Sequence, residues 1–422
     1  MNKIAFRNIL LIWLAWVLIV IGFQALATAR FQPQRPDQAQ KWTVYFTGPG
    51  YQQGHIYLLD PFMNDQVAWD SEYYLGTAIG GYDNPNIPHL TSDGTSLPTI
   101  PANHSRDSGT GYSVSYAFLP LYSWMIWLFA WPLKIFGLNP IATATLAGVI
   151  VSALGALGAM LALYDLTSDS LGEEGAMRVV FYLIIFPTGF FLVQVYTEGL
   201  FVGLAFGCLA MLRRGYWLPA ALLGAAATLT RAVGVALVIP MAITWIRSGE
   251  WKQLLSGATR WRAFGKALLT CVPLAAFLIW KFSYLGVAFD YVETHNYTRG
   301  ALHFGLAWTA WSNAFRSMFM GIPARTAYYL TEFIGMTIGI VTCLVCLKYY
   351  PEIACFSLAV FVISLGSGPA QGIHRYILGA PAVFIMLGRW GRNQVFDRAW
   401  TMFSLLLMGL LAMLFAFDFW VA

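Results

Sequence analysis

The sequence predicts an all-α, polytopic membrane protein, and three observations carry that prediction. Of 422 residues, 58% are hydrophobic and only 11% are charged, against about a quarter charged in ordinary soluble domains. Apolar runs near the ~20 residues that span a bilayer recur from one end of the chain to the other. Those runs are unbroken instead of alternating, so they fit helices and not a transmembrane barrel. The mean hydropathy of +0.61 agrees. The sequence pI of about 8.9 comes from loop lysines and arginines, and it does not point to nucleic acid as a partner.

About twelve apolar blocks are legible, at 9–29, 117–137, 141–164, 177–193, 195–212, 217–231, 232–247, 264–285, 324–347, 352–368, 374–388 and 400–420. The first follows Lys3 and Arg7 and resembles a signal peptide. It is long, and no small-residue cleavage site precedes Arg30-Phe31-Gln32-Pro33, which predicts a retained span with a cytoplasmic N-terminus. We expect about 11–13 transmembrane helices in one integral-membrane domain, residues 1–422, surrounded by membrane lipids.

Two long loops interrupt the blocks. Residues 30–116 carry eight acids against four Lys/Arg, and residues 286–323 hold Asp290, Glu293, His295, Arg299, His303 and Arg316. The basic clusters lie elsewhere, at Arg213-Arg214, from Arg247 to Lys266 and from Arg389 to Arg398. Positive charge marks the cytoplasmic side, so both loops should face the cell exterior, periplasm or ER lumen. Twelve full crossings would send two basic clusters outside. One block should therefore not be a full crossing, or one crossing is hidden, and 177–247 is the expected place, because Pro187, Glu198 and Arg231 interrupt it. Broken helices at membrane depth are tolerated where they line a cavity or are buried in protein. Within the first loop, 62–79 should form a helix along the interface, and Asp83 to Gly111 an irregular excursion. No repeat of 20–50 residues is visible.

The residues that can do chemistry are few. Asp70 stands in Trp69-Asp70-Ser71-Glu72-Tyr73-Tyr74, with Tyr73 and Tyr74 three and four residues on and Glu72 pointing elsewhere. Burial among Trp69, Tyr73 and Tyr74 would raise its pKa toward that of a general base; alternatively it caps a helix or pairs with an arginine. Glu198 and Arg231 lie in or beside apolar blocks, where ionisable groups face cavities and pair. They form a structural ion pair, or Arg231 binds a lipid phosphate and Glu198 orients it or the acceptor. Arg299, His374 and Arg375 are phosphate-clamp candidates, since a guanidinium gives paired hydrogen bonds to phosphate; the alternatives are a solvated loop charge for Arg299 and interfacial anchoring for His374-Arg375. Five cysteines lie in apolar runs, and Cys343-x-x-Cys346 reads as packing. The sequons at 103–105 and 296–298 and a His89, Asp93, His104, Asp107 set are weak signals. No phosphate-binding glycine motif is present, which speaks against direct use of a cytosolic nucleotide.

Taken in order, these stretches resemble the PIG-V-like mannosyltransferases, which add the second mannose of GPI precursors, and their prokaryotic relatives. The resemblance rests on Trp69-Asp70-Ser71 through Gly81-Tyr82, Phe118-Leu119-Pro120-Leu121-Tyr122, Phe186-Pro187-Thr188 through Tyr196-Thr197-Glu198-Gly199-Leu200-Phe201, Thr230-Arg231-Ala232-Val233-Gly234, and Arg375-Tyr376-Ile377-Leu378 with Pro381. It covers roughly 60–390. Two features depart from the family: Tyr297-Thr298-Arg299 stands where a tryptophan is common, and the Asp83–Gly111 excursion is long. The resemblance implies a GT-C glycosyltransferase fold, a polyprenyl-phosphate sugar donor, a lipid-linked or glycan acceptor, and reaction at the extracytoplasmic face. That face belongs to the plasma membrane in a prokaryote and the ER in a eukaryote. Asp70 would be the base, with Arg231, Arg299 or Arg375 on the leaving phosphate. No cofactor is implied, and a divalent metal is left open. Two other classes stay open on the residues alone: a secondary transporter, which would usually show repeat symmetry, and a non-catalytic subunit of a transferase complex.

Overall fold

The computed structural model describes residues 2–48, 55–87, 89–90, 96–97, 112–255, 260–295, 297, 299–300 and 302–421. Both sequons and the proposed His89, Asp93, His104, Asp107 set fall wholly or in part outside the described residues. Of the 83–111 excursion, an antiparallel ribbon pairs His89 with Leu97 and Leu90 with Ser96.

Seventeen α-helices lie among the described residues. The first four are α1 (Lys3–Arg30), α2 (Thr43–Phe46), α3 (Ile56–Leu59) and α4 (Ser71–Gly80). Next come α5 (Pro120–Leu133), α6 (Pro140–Ile184), α7 (Thr197–Arg213), α8 (Trp217–Thr230) and α9 (Val238–Arg247). Then follow α10 (Arg260–Lys281), α11 (Tyr284–His295), α12 (Phe304–Ser317) and α13 (Pro323–Cys346). The last are α14 (Pro351–Leu365), α15 (Ile373–Tyr376), α16 (Pro381–Trp390) and α17 (Gln394–Ala416).

Polar contacts sort the helix ends onto two faces. On one, Asn2 donates to Glu173 at 2.7 Å, Arg213 pairs with Asp169 at 3.0 Å, and Arg214 pairs with Asp165. Arg178 lies 3.9 Å from Asp397, Arg247 pairs with Glu352, and Arg389 lies over the Tyr349 ring. This is a basic face. On the other, the loop face, Asn139 donates to Asp60 at 2.8 Å, Tyr329 to Gln40 at 2.9 Å and Arg35 to the Phe417 carbonyl at 2.6 Å.

Five helices run from one face to the other: α1, α6, α10, α13 and α17. These same five are long and apolar enough to cross a membrane by length and composition. The remaining apolar helices form three hairpins that start and end on the basic face. Gly172, with φ +71° inside α6, ends the crossing part of that helix. The chain then climbs through 173–184, breaks at 185–196 and returns as α7. The second hairpin is α8 and α9, broken at Arg231. The third is α14 and α16, broken at 366–380. The breaks within 177–247 thus fall where Pro187, Glu198 and Arg231 predict them.

Outside the hairpins, one further block, 117–137, also fails to run from one face to the other. Tyr82 donates to the Phe118 carbonyl at 2.8 Å and Asn139 to Asp60, so both ends of α5 are tied to the first loop. Tyr122 of α5 donates to the Gly148 carbonyl at 3.1 Å and meets Ser152 Oγ at 2.8 Å. The helix therefore lies only along the loop-face half of α6. One side of it packs against α4 and α6, while Trp124, Trp127, Leu128, Trp131, Ile135 and Phe136 stay exposed, and hydropathy does not distinguish such a helix from a crossing.

Two packing devices bring the first loop and the hairpin tips together. Buried Gln24 of α1 donates to the Asp65 carbonyl at 3.1 Å and accepts from Gln194 at 3.0 Å and Gln66 at 3.4 Å. One amide thereby ties α1, the first loop and the 185–196 break, and leaves little of its hydrogen-bonding capacity unused. In addition, α6 and α7 touch backbone to backbone. A carbon added at Gly155 would collide with Gly199, and one at Gly199 or Gly203 with the α6 backbone. Small residues four apart permit that approach between apolar helices.

Candidate functional site

Asp70 is placed by backbone contacts with the first hairpin tip. Val195 N–H donates to the Gln66 carbonyl at 3.1 Å, Ser71 Oγ to the Val195 carbonyl at 3.1 Å and Asp70 N–H to the Tyr196 hydroxyl at 3.3 Å. Trp69 before it has φ +50°, a left-handed backbone that costs a non-glycine residue about 1–2 kcal/mol. Asp70 occupies the N-cap position of α4, yet its side chain makes no capping bond. It faces Arg375 instead, with Nη1 to Oδ2 at 3.4 Å.

Arg375, itself only 8% exposed, also lies 3.3 Å from Glu198. Glu198 in turn pairs with Arg231. The three hairpin tips therefore each deliver one charge to the loop residue: Glu198 from the first, Arg231 from the second, Arg375 from the third. Aromatic rings close round the cations. Arg375 stands 5.2 Å from the Tyr196 ring centre and 5.3 Å from that of Tyr376, and Arg231 stands 4.7 Å from Tyr376. These are cation–π distances. A cavity of about 10 Å³ lies between Glu198, Arg231, Arg375 and Tyr376.

Arg299 reaches the same cluster from the second outer loop. Its N–H donates to the Glu293 carbonyl at 2.9 Å, and its guanidinium lies 5.6 Å from the Tyr297 ring centre. Its buried Nε has no hydrogen-bond partner among the described residues. Burial pushes the Asp70 carboxyl above the usual carboxylate range, Arg375 and then Arg299 pull it back, and Glu198 adds to the rise. Asp70 still keeps 27% of its side-chain surface open. It is thus enclosed by protein but reachable. Burial also raises Glu293, with Arg299 opposing and Asp70 reinforcing.

The helix expected over 62–79 spans only Ser71–Gly80, after a 3-10 turn at Asn64–Gln66 and an extended Val67, but Tyr73 and Tyr74 keep the helical spacing. Tyr73 stacks on Phe118 at 4.9 Å, and buried Tyr74 packs edge-on against Phe118, Tyr122 and Tyr196. Glu72 does point elsewhere, to His55 at 2.8 Å. His374 sits beside Arg375 in sequence but on another partner. Its Nδ1 lies 2.9 Å from buried Glu332, which also accepts from Tyr328 at 2.7 Å and from the Gly372 N–H at 2.5 Å. Asp70, Glu198, Arg231, Arg299 and Arg375 are brought together, whereas His374 anchors the tip that carries Arg375. Sequence reasoning passed over Glu332, Tyr196, Tyr376 and Glu293. Glu332 carried a usable signal, an acid inside the apolar block 324–347.

An apolar groove of about 710 Å³ runs along α12 and α13, lined by Phe304, Trp308, Trp311, Phe315, Phe333 and Leu365 among others. Its near end adjoins the Arg299 segment, where Gly300 N–H donates to the Ser367 carbonyl at 3.0 Å.

No known protein-family profile matches the chain, and no curated protein matches it. Solved structures do resemble it. ArnT from Cupriavidus metallidurans bound to undecaprenyl phosphate aligns at 14% identity and TM-score 0.45, over 84% of this chain and 62% of that one. The Archaeoglobus fulgidus oligosaccharyltransferase with Zn and sulfate aligns at 14% identity and TM-score 0.45, over 96% and 53%. The archaeal oligosaccharyltransferase AglB from Archaeoglobus fulgidus, with an inhibitory peptide and a dolichol-phosphate, gives 14% identity and TM-score 0.41, over 96% and 55%. The chain thus spans less than two thirds of the length of each. A likeness of this extent assigns no residue its role.

Proposed function

We propose that the chain is an inverting glycosyltransferase of the GT-C type. It moves a sugar, mannose by the family resemblance, from a polyprenyl-phosphate donor to a lipid-linked or glycan acceptor at the extracytoplasmic face. One observation carries the reading. A reachable carboxylate, Asp70, stands among three guanidiniums, two of them at hairpin tips and one at the head of an apolar groove. Asp70 takes the proton of an acceptor hydroxyl. The hydroxyl oxygen bonds to the anomeric carbon, the bond from that carbon to the lipid phosphate breaks, and its electron pair leaves with the phosphate. Arg299, whose buried Nε has no hydrogen-bond partner among the described residues, and Arg231 and Arg375, with their charges fixed by Glu198, offset the charge that develops there. Fixed charges act strongly where water is excluded. The groove along α12 takes the lipid chain, and its end near Arg299 takes the phosphate.

Purified protein given polyprenyl-phosphate mannose and a host lipid extract should yield a glycosylated product by mass analysis. Asp70→Asn should lower transfer by about 100-fold or more, as expected for loss of a general base, while the protein stays folded. Full transfer by Asp70→Asn would overturn the assignment. So would counterflow of a solute into liposomes with no product formed.

A further inference from the structure

The five residues after α17 turn back across the first loop and close against the residue that precedes Asp70. The Phe419 carbonyl accepts from Trp69 Nε1 at 3.3 Å. Trp420 packs edge-on against Trp69 at 5.2 Å and against Trp42 at 4.7 Å, and Trp42 meets Trp69 at 5.5 Å. The segment is pinned at both ends. Arg35 donates to the Phe417 carbonyl at 2.6 Å, and Trp420 N–H donates to Asp37 at 2.9 Å. Between the pins, Asp418 and Trp69 both hold left-handed backbones, with φ +58° and +50°. Non-glycine residues keep such a conformation only where their surroundings enforce it.

Asp418 is the titratable part of this contact. Its carboxyl accepts the Trp69 backbone N–H, and its Oδ1 is buried with no hydrogen-bond partner among the described residues. Arg35 faces it from the N-terminal linker, His55 from the turn before α3 and Glu72 from the first turn of α4. Asp37 lies one contact further, on Trp420. Glu72 is two residues beyond Asp70, so the cluster grips the chain on both sides of that carboxylate.

We propose that residues 417–421 form a strap that positions Asp70 through Trp69, and that Asp418 is its pH-sensitive positioning residue, closed when neutral and loosened when ionised. The proposed purpose rests on Asp70 being the base, but the strap itself does not. Burial is the main cause that pushes Asp418 up to about 7, with Arg35 opposing and Glu72 reinforcing. The sign follows. In the closed strap Asp418 holds its proton up to that value, whereas in an opened, solvated strap it loses the proton in the ordinary carboxylate range. Closure is therefore fully favoured at acid pH, weakens as pH rises from the ordinary range to about 7, and is constant above. Above that point a buried anion with an unpartnered oxygen faces Glu72, and water becomes the better solvent for it.

Amide hydrogen exchange of the full-length protein in detergent tests this without any substrate. Exchange of peptides covering 35–48 and 67–73, corrected for intrinsic rates, should rise between about pH 5 and 7 by up to about tenfold per pH unit and then level off. Asp418→Asn should flatten that rise, and Asp418→Glu should restore it. A wild-type profile without the rise, or one unchanged in Asp418→Asn, overturns the strap. In the transfer assay Asp418→Asn should remove the contribution of strap opening to kcat between about pH 5 and 7, with KM unchanged. Transfer surviving in Asp70→Asn would instead sink the enzymatic reading and leave the exchange result standing.

Discussion

Asp70 gains its character from neighbours that lie far off in sequence. Burial raises its pKa, and two guanidiniums offset part of that rise. As a base it must be ionised, so transfer should increase with pH through its raised pKa. Arg299→Gln removes one of the offsetting cations. The acid limb of kcat/KM should then move to higher pH, measurable as a displaced midpoint at saturating acceptor; an unmoved limb would separate Arg299 from Asp70. Glu332 makes a second prediction at this scale. Glu332→Gln weakens a buried hydrogen bond to His374, and losing a hydrogen bond to a charged group costs about 1.5–3 kcal/mol. The tip that carries Arg375 should loosen, visible as a lowered Tm and weakened transfer. Intramembrane charge identified Glu198 and Arg231 from sequence because an ion in an apolar run has few explanations. The same logic applied to Glu332, whose partner His374 was already in view. Tyr196 and Tyr376 gave no such signal, since aromatic residues are abundant throughout this chain.

At the level of helices, the breaks were legible and their purpose was not. Pro187 and Arg231 interrupt apolar runs, which tells where regular hydrogen bonding stops. That the stops meet at one place depends on α6 and α7 touching through Gly155, Gly199 and Gly203, and glycine spacing in apolar sequence is common. Gly155→Val should push α7, with Glu198 at its start, away from α6. The expected outcome is loss of folded protein in detergent, scored by size-exclusion profile, while Gly22→Val, in open space on α1, stays folded. Gln24→Leu should cost about 1–3 kcal/mol by leaving Gln194 and Gln66 amides unsatisfied, read as a lowered Tm. The block 117–137 misled hydropathy because it carries a broad exposed apolar side, with Trp124, Trp127 and Trp131 on it, although it does not run from face to face.

For the whole molecule, five helices among the described residues are long and apolar enough to cross a membrane, and the three hairpins return to the face they start from, which removes the parity conflict that twelve full crossings created. With α1 starting on the basic face, α17 ends on the loop face, and the clusters at Arg213-Arg214, Arg247 to Lys266 and Arg389 to Arg398 share one side. Single cysteines in a background lacking the native five should report this. Asn139→Cys and Gln34→Cys should react with an impermeant thiol reagent from one side, and Tyr216→Cys from the other. Asn139→Cys reacting together with Tyr216→Cys would restore 117–137 as a crossing. Charge distribution alone predicted which segments share a side. It could not say which helix turns back, because α5 carries no charge before Lys134.

The cavity between Arg231, Arg375 and Tyr376 has room for a single water at most. A phosphate group is several times larger, so it cannot enter as an addition to what is there. On the proposed reading the phosphate therefore stops at the groove end near Arg299, and Glu198 keeps its place as counter-ion of the two inner guanidiniums. Arg231 and Arg375 would then act on it as fixed charges held at a distance, not as direct ligands.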